Sequence, residues 1–352
     1  MDKMKAVVLH GPGEYGVELV DIPKPGMGEV LCRIRANAIC GSDPNLFAGR
    51  SRNVGWPPAY PFIPGHEWAG EVVALGEGAS GVFKVGDRVA GEAHCGCGIC
   101  GNCKKGLYTL CENYGKPETG HRHYGFLNQG AYAEYGAFKE RTLTHIPDGV
   151  SFDEATICDS GGAALNGMRL AGTTNNGYTA VYGPGPIGNI CMQIAKAKGA
   201  KTIMIGRRER LDEAGTCGAD HCVNYEQEDP IEAVMRITGG KGAHEVIECA
   251  GTDRALYQSV LCARKAGKVA IVAMHNTGDI EIPVRNLVMN QIGLLGSRAN
   301  PDCSEEVLGM VAEGTLDAKK LITHTFPIEE IKEAIVVFEG RLEGAMKVVI
   351  HP

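Results

Sequence analysis

The chain has 352 residues and a formal net charge of −7, long enough for two domains with separate cores. An acidic balance without a long Lys/Arg run leaves no electrostatic face for nucleic acid. No stretch stays apolar and uncharged long enough to span a membrane, and the opening Met1-Asp-Lys-Met-Lys turns polar before a signal-like core develops. Of the 14 cysteines, ten are scattered singly, which points to a reducing compartment and a cytoplasmic protein.

The first 150 residues are rich in Gly and Pro and carry short β-branched runs at 5–9, 29–34, 70–75 and 87–90. They predict an irregular β domain. Within it stand Cys40, in Cys40-Gly-Ser42-Asp43, and His66 with Glu67, in Pro64-Gly-His-Glu67. Asp159 follows the helix expected after the capping box Ser151-Phe-Asp-Glu154, where a Ser hydroxyl and a Glu three residues on meet free helix amides. Singly these are weak signals, since a lone Cys or His is usually structural. Together, a thiolate, an imidazole and a carboxylate make the mixed, incompletely filled shell of a catalytic zinc, which keeps a position for water or substrate.

Between them lies the densest motif, Cys97, Cys100, Cys103 and Cys111 in C-x₂-C-x₂-C-x₇-C spacing. Four thiolates this close can enclose one tetrahedral ion, zinc first, and an all-sulfur shell has no open position, so the site is structural. Several cysteines in one short loop are too close together for unstrained disulfides.

From Tyr178 to about Gly296 strands and helices alternate, with apolar runs at 179–182, 202–205, 245–249 and 268–273. That pattern predicts a parallel sheet covered by helices. The tail is helical by spacing at 305–313 and 328–339 and ends in the apolar run 346–350. The first strand runs into Gly183-Pro-Gly185-Pro186-Ile187-Gly188, which opens a helix and is followed by a second strand. In that context G-x-G-x-x-G is a dinucleotide fingerprint: Gly183 for the turn, Gly185 for close approach of a pyrophosphate, Gly188 for helix–strand packing, and the phosphates on the helix N-terminus. An NAD site usually ends the second strand with Asp or Glu. Here it ends Gly206-Arg207-Arg208, a site able to pair with a phosphate, so NADP is favoured over NAD. The alternative is a solvated helix start, with Glu209 reaching a ribose hydroxyl.

The order Cys40-Gly-Ser, Gly65-His-Glu67, the four-cysteine lobe, the glycine fingerprint and the closing Lys347-Val-Val-Ile resembles the zinc-dependent medium-chain alcohol dehydrogenase superfamily over essentially the whole chain. Gly91-Glu-Ala-His94 and the Cys-Gly-Ser-Asp start are most similar to its sorbitol (polyol), threonine and sugar dehydrogenase branch. The resemblance implies an α/β plus β fold: a GroES-like catalytic domain (1–156), a doubly wound Rossmann coenzyme domain (157–297) and a C-terminal segment (298–352) returning to the first. It also implies two zinc ions per chain, with Cys40, His66 and either Asp159 or Glu67 holding the catalytic one, and a homodimer or homotetramer.

The implied reaction moves a hydride between a secondary alcohol of a small polar substrate and NADP or NAD, with Ser42 passing the hydroxyl proton onward. The family often continues that relay through a His five residues after the Cys, where this chain has Asn45; an amide is no general base, which leaves His94, Glu67, the cofactor ribose or water. Asp159 is also shorter than the Glu of many relatives, so a position behind the metal or as a helix cap competes with direct ligation, and for Glu67 a position behind the metal, tuning it by charge, competes with binding it. Segments 45–64, with Phe47, Arg50, Trp56 and Tyr60, and 121–129 are expected to line the pocket or to form surface loops. Their aromatic and hydrogen-bonding mix favours a polyol or sugar, then L-threonine or a simple secondary alcohol. A non-catalytic NAD(P)-binding protein on the same fold is the alternative from another class.

Overall fold

The computed structural model describes residues 2–172, 176–275 and 279–352. Its contacts form two units, Met1–Ser160 with Ser304–Ala312 and Leu321–Pro352, and Gly161–Cys303 with Glu313–Lys320.

The chain first lays down β1 (Lys3–Gly11), β2 (Glu14–Asp21), β3 (Glu29–Ala38), β4 (Glu67–Leu75), β5 (Arg88–Gly91), β6 (His94–Cys95), β7 (Arg122–His123), β8 (Tyr135–Lys139) and β9 (Leu143–His145). Among them sit the short helices α1 (Asp43–Phe47) and α2 (Gly101–Lys104), followed by α3 (Phe152–Ala155) and α4 (Ile157–Ala171). The capping box forms as its residues require: Ser151 Oγ accepts from the Glu154 amide and the Glu154 carboxylate accepts from the Ser151 amide. The boundary between the units falls inside α4, after Ser160, because the helix continues without a break past the end of the β-rich segment.

The second unit alternates β10 (Tyr178–Tyr182), α5 (Pro186–Ala197), β11 (Lys201–Gly206), α6 (Arg208–Thr216), β12 (His221–Asn224), α7 (Pro230–Ile237), β13 (Ala243–Glu248), α8 (Asp253–Cys262), β14 (Ala263–Ile271), α9 (Val284–Asn290) and β15 (Gly293–Gly296). Its six strands are all parallel, in the order β12-β11-β10-β13-β14-β15. Strands covered on both faces need unbroken apolar runs, and residues 202–206 are accordingly buried throughout. Ile203, Val246 and Val269 are fully buried in the sheet's main core cluster, each contributing about 1.5–3 kcal/mol. Strand order reverses between β10 and β13, and the crevice outside such a switch point is where this architecture takes ligands.

The chain ends with α10 (Ser304–Ala312), β16 (Ile322–Pro327), α11 (Ile331–Gly340) and β17 (Lys347–His351). These last strands complete a seven-stranded sheet in the β-rich unit, ordered β16-β17-β3-β4-β5-β9, with β8 also pairing β3. Its register builds the site. Ala38, at the end of β3, pairs with Glu67 of β4 on one side and Val349 of β17 on the other. Cys40 follows β3 by two residues and His66 immediately precedes β4, so distant segments are delivered to one end of neighbouring strands.

Candidate active site

Cys40, His66 and Glu67 bring one sulfur, one nitrogen and one carboxylate oxygen within 4.8 Å of one another. His66 and Glu67 are buried. Behind the imidazole, Asp43 Oδ1 lies 3.6 Å from His66 Nδ1. The Asp43 carboxylate is held in turn by the Cys40 amide and the Tyr132 hydroxyl, each donating to Oδ2 over 2.8 Å. At that distance the contact is electrostatic, a carboxylate that favours positive charge on the ring. Burial opposes a charged His66, but Cys40, Asp43 and Asp159 outweigh it and raise its pKa to about 10. Whatever stabilises that proton also stabilises a cation. A mixed set of three donors leaves one tetrahedral position unfilled and therefore fits a catalytic zinc.

Asp159 is not one of the three clustered donors. It stands on α4 close enough to interact with His66, Glu67 and Lys347, and its carboxyl accepts from the Ala93 amide; burial raises its pKa. Glu67 is balanced by Lys347, whose buried ammonium donates to Glu67 Oε2 and to Ser160 Oγ, the latter over 3.1 Å. Lys347, Asp43 and Tyr132 were not singled out from sequence as site residues. Lys347 had a signal, a lone cation inside the apolar run Met346-Lys-Val-Val-Ile.

Ser42 Oγ is buried and has no hydrogen-bond partner among the described residues. Asn45 Oδ1 accepts from Arg50 Nε over 2.7 Å, and Arg50 also pairs with Glu339 at 3.2 Å. His94 stacks on His123 with centroids 4.0 Å apart. Phe126 packs on His66 at 4.6 Å, on His123 at 4.3 Å and on Trp56 at 4.8 Å. Trp56 Nε1 donates to Tyr114 Oη, which hydrogen-bonds His123 Nδ1 over 2.7 Å. Trp56 and the 121–129 segment thus do gather beside His66. Phe47 does not: it is core, packed on Tyr15 and Tyr132.

The four-cysteine lobe closes as its spacing requires. All four sulfurs lie within 4.8 Å of one another, with Cys97 to Cys103 at 3.9 Å and Cys100 to Cys111 at 4.0 Å. A tetrahedron with bonds of about 2.3 Å has edges of about 3.8 Å, whereas a disulfide needs about 2 Å. Burial resists a Cys97 thiolate, but donors from Asn113, Ile99 and Cys100 outweigh it and lower the pKa to about 6. Position 96 must be glycine, because a Cβ there would come 2.6 Å from Cys103 Sγ. The donor set fits a closed structural zinc.

In the second unit Gly183 adopts φ 99° and turns the chain from β10 into α5. A Cβ on Gly188 would meet the Gly183 carbonyl oxygen at 1.9 Å, so only glycine lets the helix start this close to the turn. Gly185 is the N-cap and Pro186 the first helical residue, without a side-chain cap. Ile187 lies in the same first turn. Helix amides there face outward, ready for an anion. Beside this turn, Glu248 at the end of β13 accepts from the Ala250 and Gly251 amides, each at 2.8 Å, and meets His275 Nε2 at 3.1 Å. Arg210, which the sequence reading passed over, places Nη1 3.9 Å from where a Gly185 Cβ would stand.

Gly206 closes β11 with no room for a side chain, since a Cβ would come 2.4 Å from Pro184 Cγ. Arg207 follows, paired with Glu226 at 2.7 Å, and Arg208 begins α6 in the left-handed region with φ 56°.

Residues 26–148 match the family described as Alcohol dehydrogenase GroES-like domain, and 186–313 match Zinc-binding dehydrogenase. The chain is 32% identical to the sorbitol dehydrogenase of Halalkalibacterium halodurans over 356 residues, covering 99% of each chain. It is 33% identical to the L-threonine 3-dehydrogenase of Pyrococcus furiosus over 355 residues, covering 97% of each. Among solved structures, a putative zinc-binding dehydrogenase from Sinorhizobium meliloti 1021 bound to NADP superposes with a TM-score of 0.90 at 28% identity, covering all of both chains. With two-domain architecture, clustered donors and full-length relatives in agreement, the chain belongs to the zinc-dependent medium-chain alcohol dehydrogenase superfamily, enzymes that move a hydride between a CH–OH group and NAD(P).

Proposed function

We propose that this dehydrogenase acts on a secondary alcohol of a small polar substrate, a polyol or sugar first, and uses NADP in preference to NAD. The observation that carries it is the cluster of half-buried Cys40 with buried His66 and Glu67, with Asp43 beside His66 and, two residues from Cys40, a Ser42 hydroxyl that has no partner among the described residues. In this reading Cys40, His66 and Glu67 hold a catalytic zinc, with Asp159 behind them, and the four lobe cysteines hold a structural one.

When bound, zinc supplies a Lewis acid that acidifies an alcohol hydroxyl, and the dinucleotide supplies the hydride acceptor. The remaining work belongs to side chains. Ser42 Oγ takes the hydroxyl proton in a hydrogen bond, and the Asp43 carboxylate favours positive charge on the His66 ring. Asn45, an amide whose oxygen is engaged by Arg50, is no general base, so it is not the onward acceptor of the proton from Ser42. Trp56, Tyr114 and His123 offer ring faces and polar atoms together, which suits a substrate with several hydroxyls. The threonine dehydrogenase relatives keep L-threonine as the second reading.

Arg207 and Arg208 support NADP, and the packing of Pro184 on Gly206 supports it further by excluding the ribose-binding acid. The exposed Val284, Val288 and Met289 on α9, next to the edge strand β15, support a homo-oligomer. No helix among the described residues is long and apolar enough to cross a membrane, and every cysteine is free, which supports the cytoplasm.

The test is a panel of polyols, sugars, L-threonine and secondary alcohols with each coenzyme, read at the absorbance of reduced nicotinamide, alongside zinc analysis. Two zinc ions per chain and polyol-dependent reduction of NADP are expected. Inertness across the panel in zinc-loaded protein would overturn the substrate reading.

A further inference from the structure

The two arginines at the end of β11 already have an anionic partner. Glu226, on the turn after β12, sits 2.7 Å from Arg207 and 3.9 Å from Arg208. Its placement is not accidental to a floppy surface chain. The Tyr225 amide donates to the Gly206 carbonyl over 3.1 Å, tying the two turns together, and the Glu226 amide donates to Asn224 Oδ1 over 3.0 Å. Tyr225 lays its ring under Arg207, with the guanidinium carbon 5.8 Å from the centroid. The nearby Glu228 is engaged elsewhere, with Arg236 at 2.7 Å. Arg208 holds a left-handed backbone that non-glycine residues seldom adopt, and such outliers gather at ligand sites.

From this geometry we infer that Glu226 moderates the preference for NADP by occupying the arginines that a ribose 2′-phosphate would use. The inference rests on reading Gly206-Arg207-Arg208 as the adenosine ribose site. A 2′-phosphate must draw both guanidiniums away from Glu226 and then sit close to its negative charge. A ribose with a free 2′-hydroxyl leaves the Arg207–Glu226 pair intact. Glu226 therefore penalises NADP selectively, so that an arginine pair built for phosphate still leaves room for NAD. The pair is partly exposed, with about 40% of each side chain accessible, so the penalty is moderate and falls with salt.

The experiment is calorimetric titration of the zinc-loaded full chain with adenosine 2′,5′-bisphosphate and with ADP, for wild type, Glu226→Gln, Glu226→Asp and Arg207→Ala. Glu226→Gln is expected to tighten the bisphosphate about three- to tenfold and to leave ADP within about twofold, because only the former carries the competing charge. Glu226→Asp keeps the charge and should stay near wild type. If Arg207→Ala weakens the bisphosphate while Glu226→Gln weakens it too or leaves it unchanged, the role of Glu226 is refuted and the arginine site stands. If Arg207→Ala leaves the discrimination between the two probes unaltered, the ribose-site reading fails and takes this inference with it.

Discussion

Lys347 donates to Glu67 inside the β-rich unit, with only 3% and 1% of the two side chains accessible. β17 and β4 both flank β3, so the contact joins the last strand of the chain to the strand that begins at Glu67. Removing one partner of a buried pair strands the other charge. Lys347→Met should therefore lower the stability of the zinc-free protein by about 3–5 kcal/mol, whereas Lys347→Met with Glu67→Gln should recover most of it there. Urea unfolding measures both. A single variant as stable as the parent would show that Glu67 is neutralised by other means.

Ser42 offers a cleaner separation of chemistry from stability. Its Oγ has no partner to lose among the described residues, so Ser42→Ala should leave the unfolding free energy within about 0.5 kcal/mol. Loss of the proton-accepting hydroxyl should lower kcat about 100-fold or more. Asn45→His adds a group titrating near about pH 6.5, and a new limb in the pH profile of kcat should appear there. Unchanged turnover in Ser42→Ala would remove Ser42 from the proton route.

Gly206→Asp would install the acid typical of an NAD site. Because its Cβ would stand 2.4 Å from Pro184 Cγ, the variant should be destabilised by about 1–3 kcal/mol through overpacking. Adding Pro184→Ala should relieve that cost and expose a shift in KM toward NAD. Thermal unfolding and paired kinetics with both coenzymes separate the two effects, and full stability of Gly206→Asp alone would contradict the packing account.

His351 Nε2 pairs with Asp153 Oδ1 at 2.8 Å, and that hydrogen bond raises the His351 pKa above 6.5 against the opposing effect of burial. A raised folded-state pKa means the folded protein binds the proton more tightly than the unfolded chain. The stabilisation is therefore complete below about pH 6.5 and disappears as pH rises through the folded value. The pair is almost half exposed on the histidine side, so its worth is below about 1 kcal/mol. His351→Gln should flatten that part of the stability–pH curve above about pH 6.5, as followed by urea midpoints across the range. A curve of unchanged shape would rule the pair out as its source.

Legibility varied with how local each signal was. The Cys97 to Cys111 lobe could be read directly, because its spacing alone forces the sulfurs together. The glycine turn was equally readable, since only glycine tolerates the approach at positions 183 and 188. β10, β11, β13 and β14 matched their apolar runs, but β12 (His-Cys-Val-Asn) and β15 (Gly-Leu-Leu-Gly) are too short and too mixed to show a strand pattern. Phe47 looked like a pocket residue because aromatic side chains serve cores and pockets alike.

Chain order and residue type by themselves determined the family, the parallel coenzyme-side sheet and the clustering of the four lobe cysteines, all features written in contiguous segments. Tertiary structure decided what depends on register and on packing between distant segments. It set Cys40, His66 and Glu67 together with Asp159 outside that trio, placed Asp43 behind the imidazole, matched Lys347 to Glu67 across 280 positions, and set Glu226 against the arginines after β11. These are long-range choices because a charge is satisfied by whichever partner the folded sheet brings near, and no local spacing records that partner.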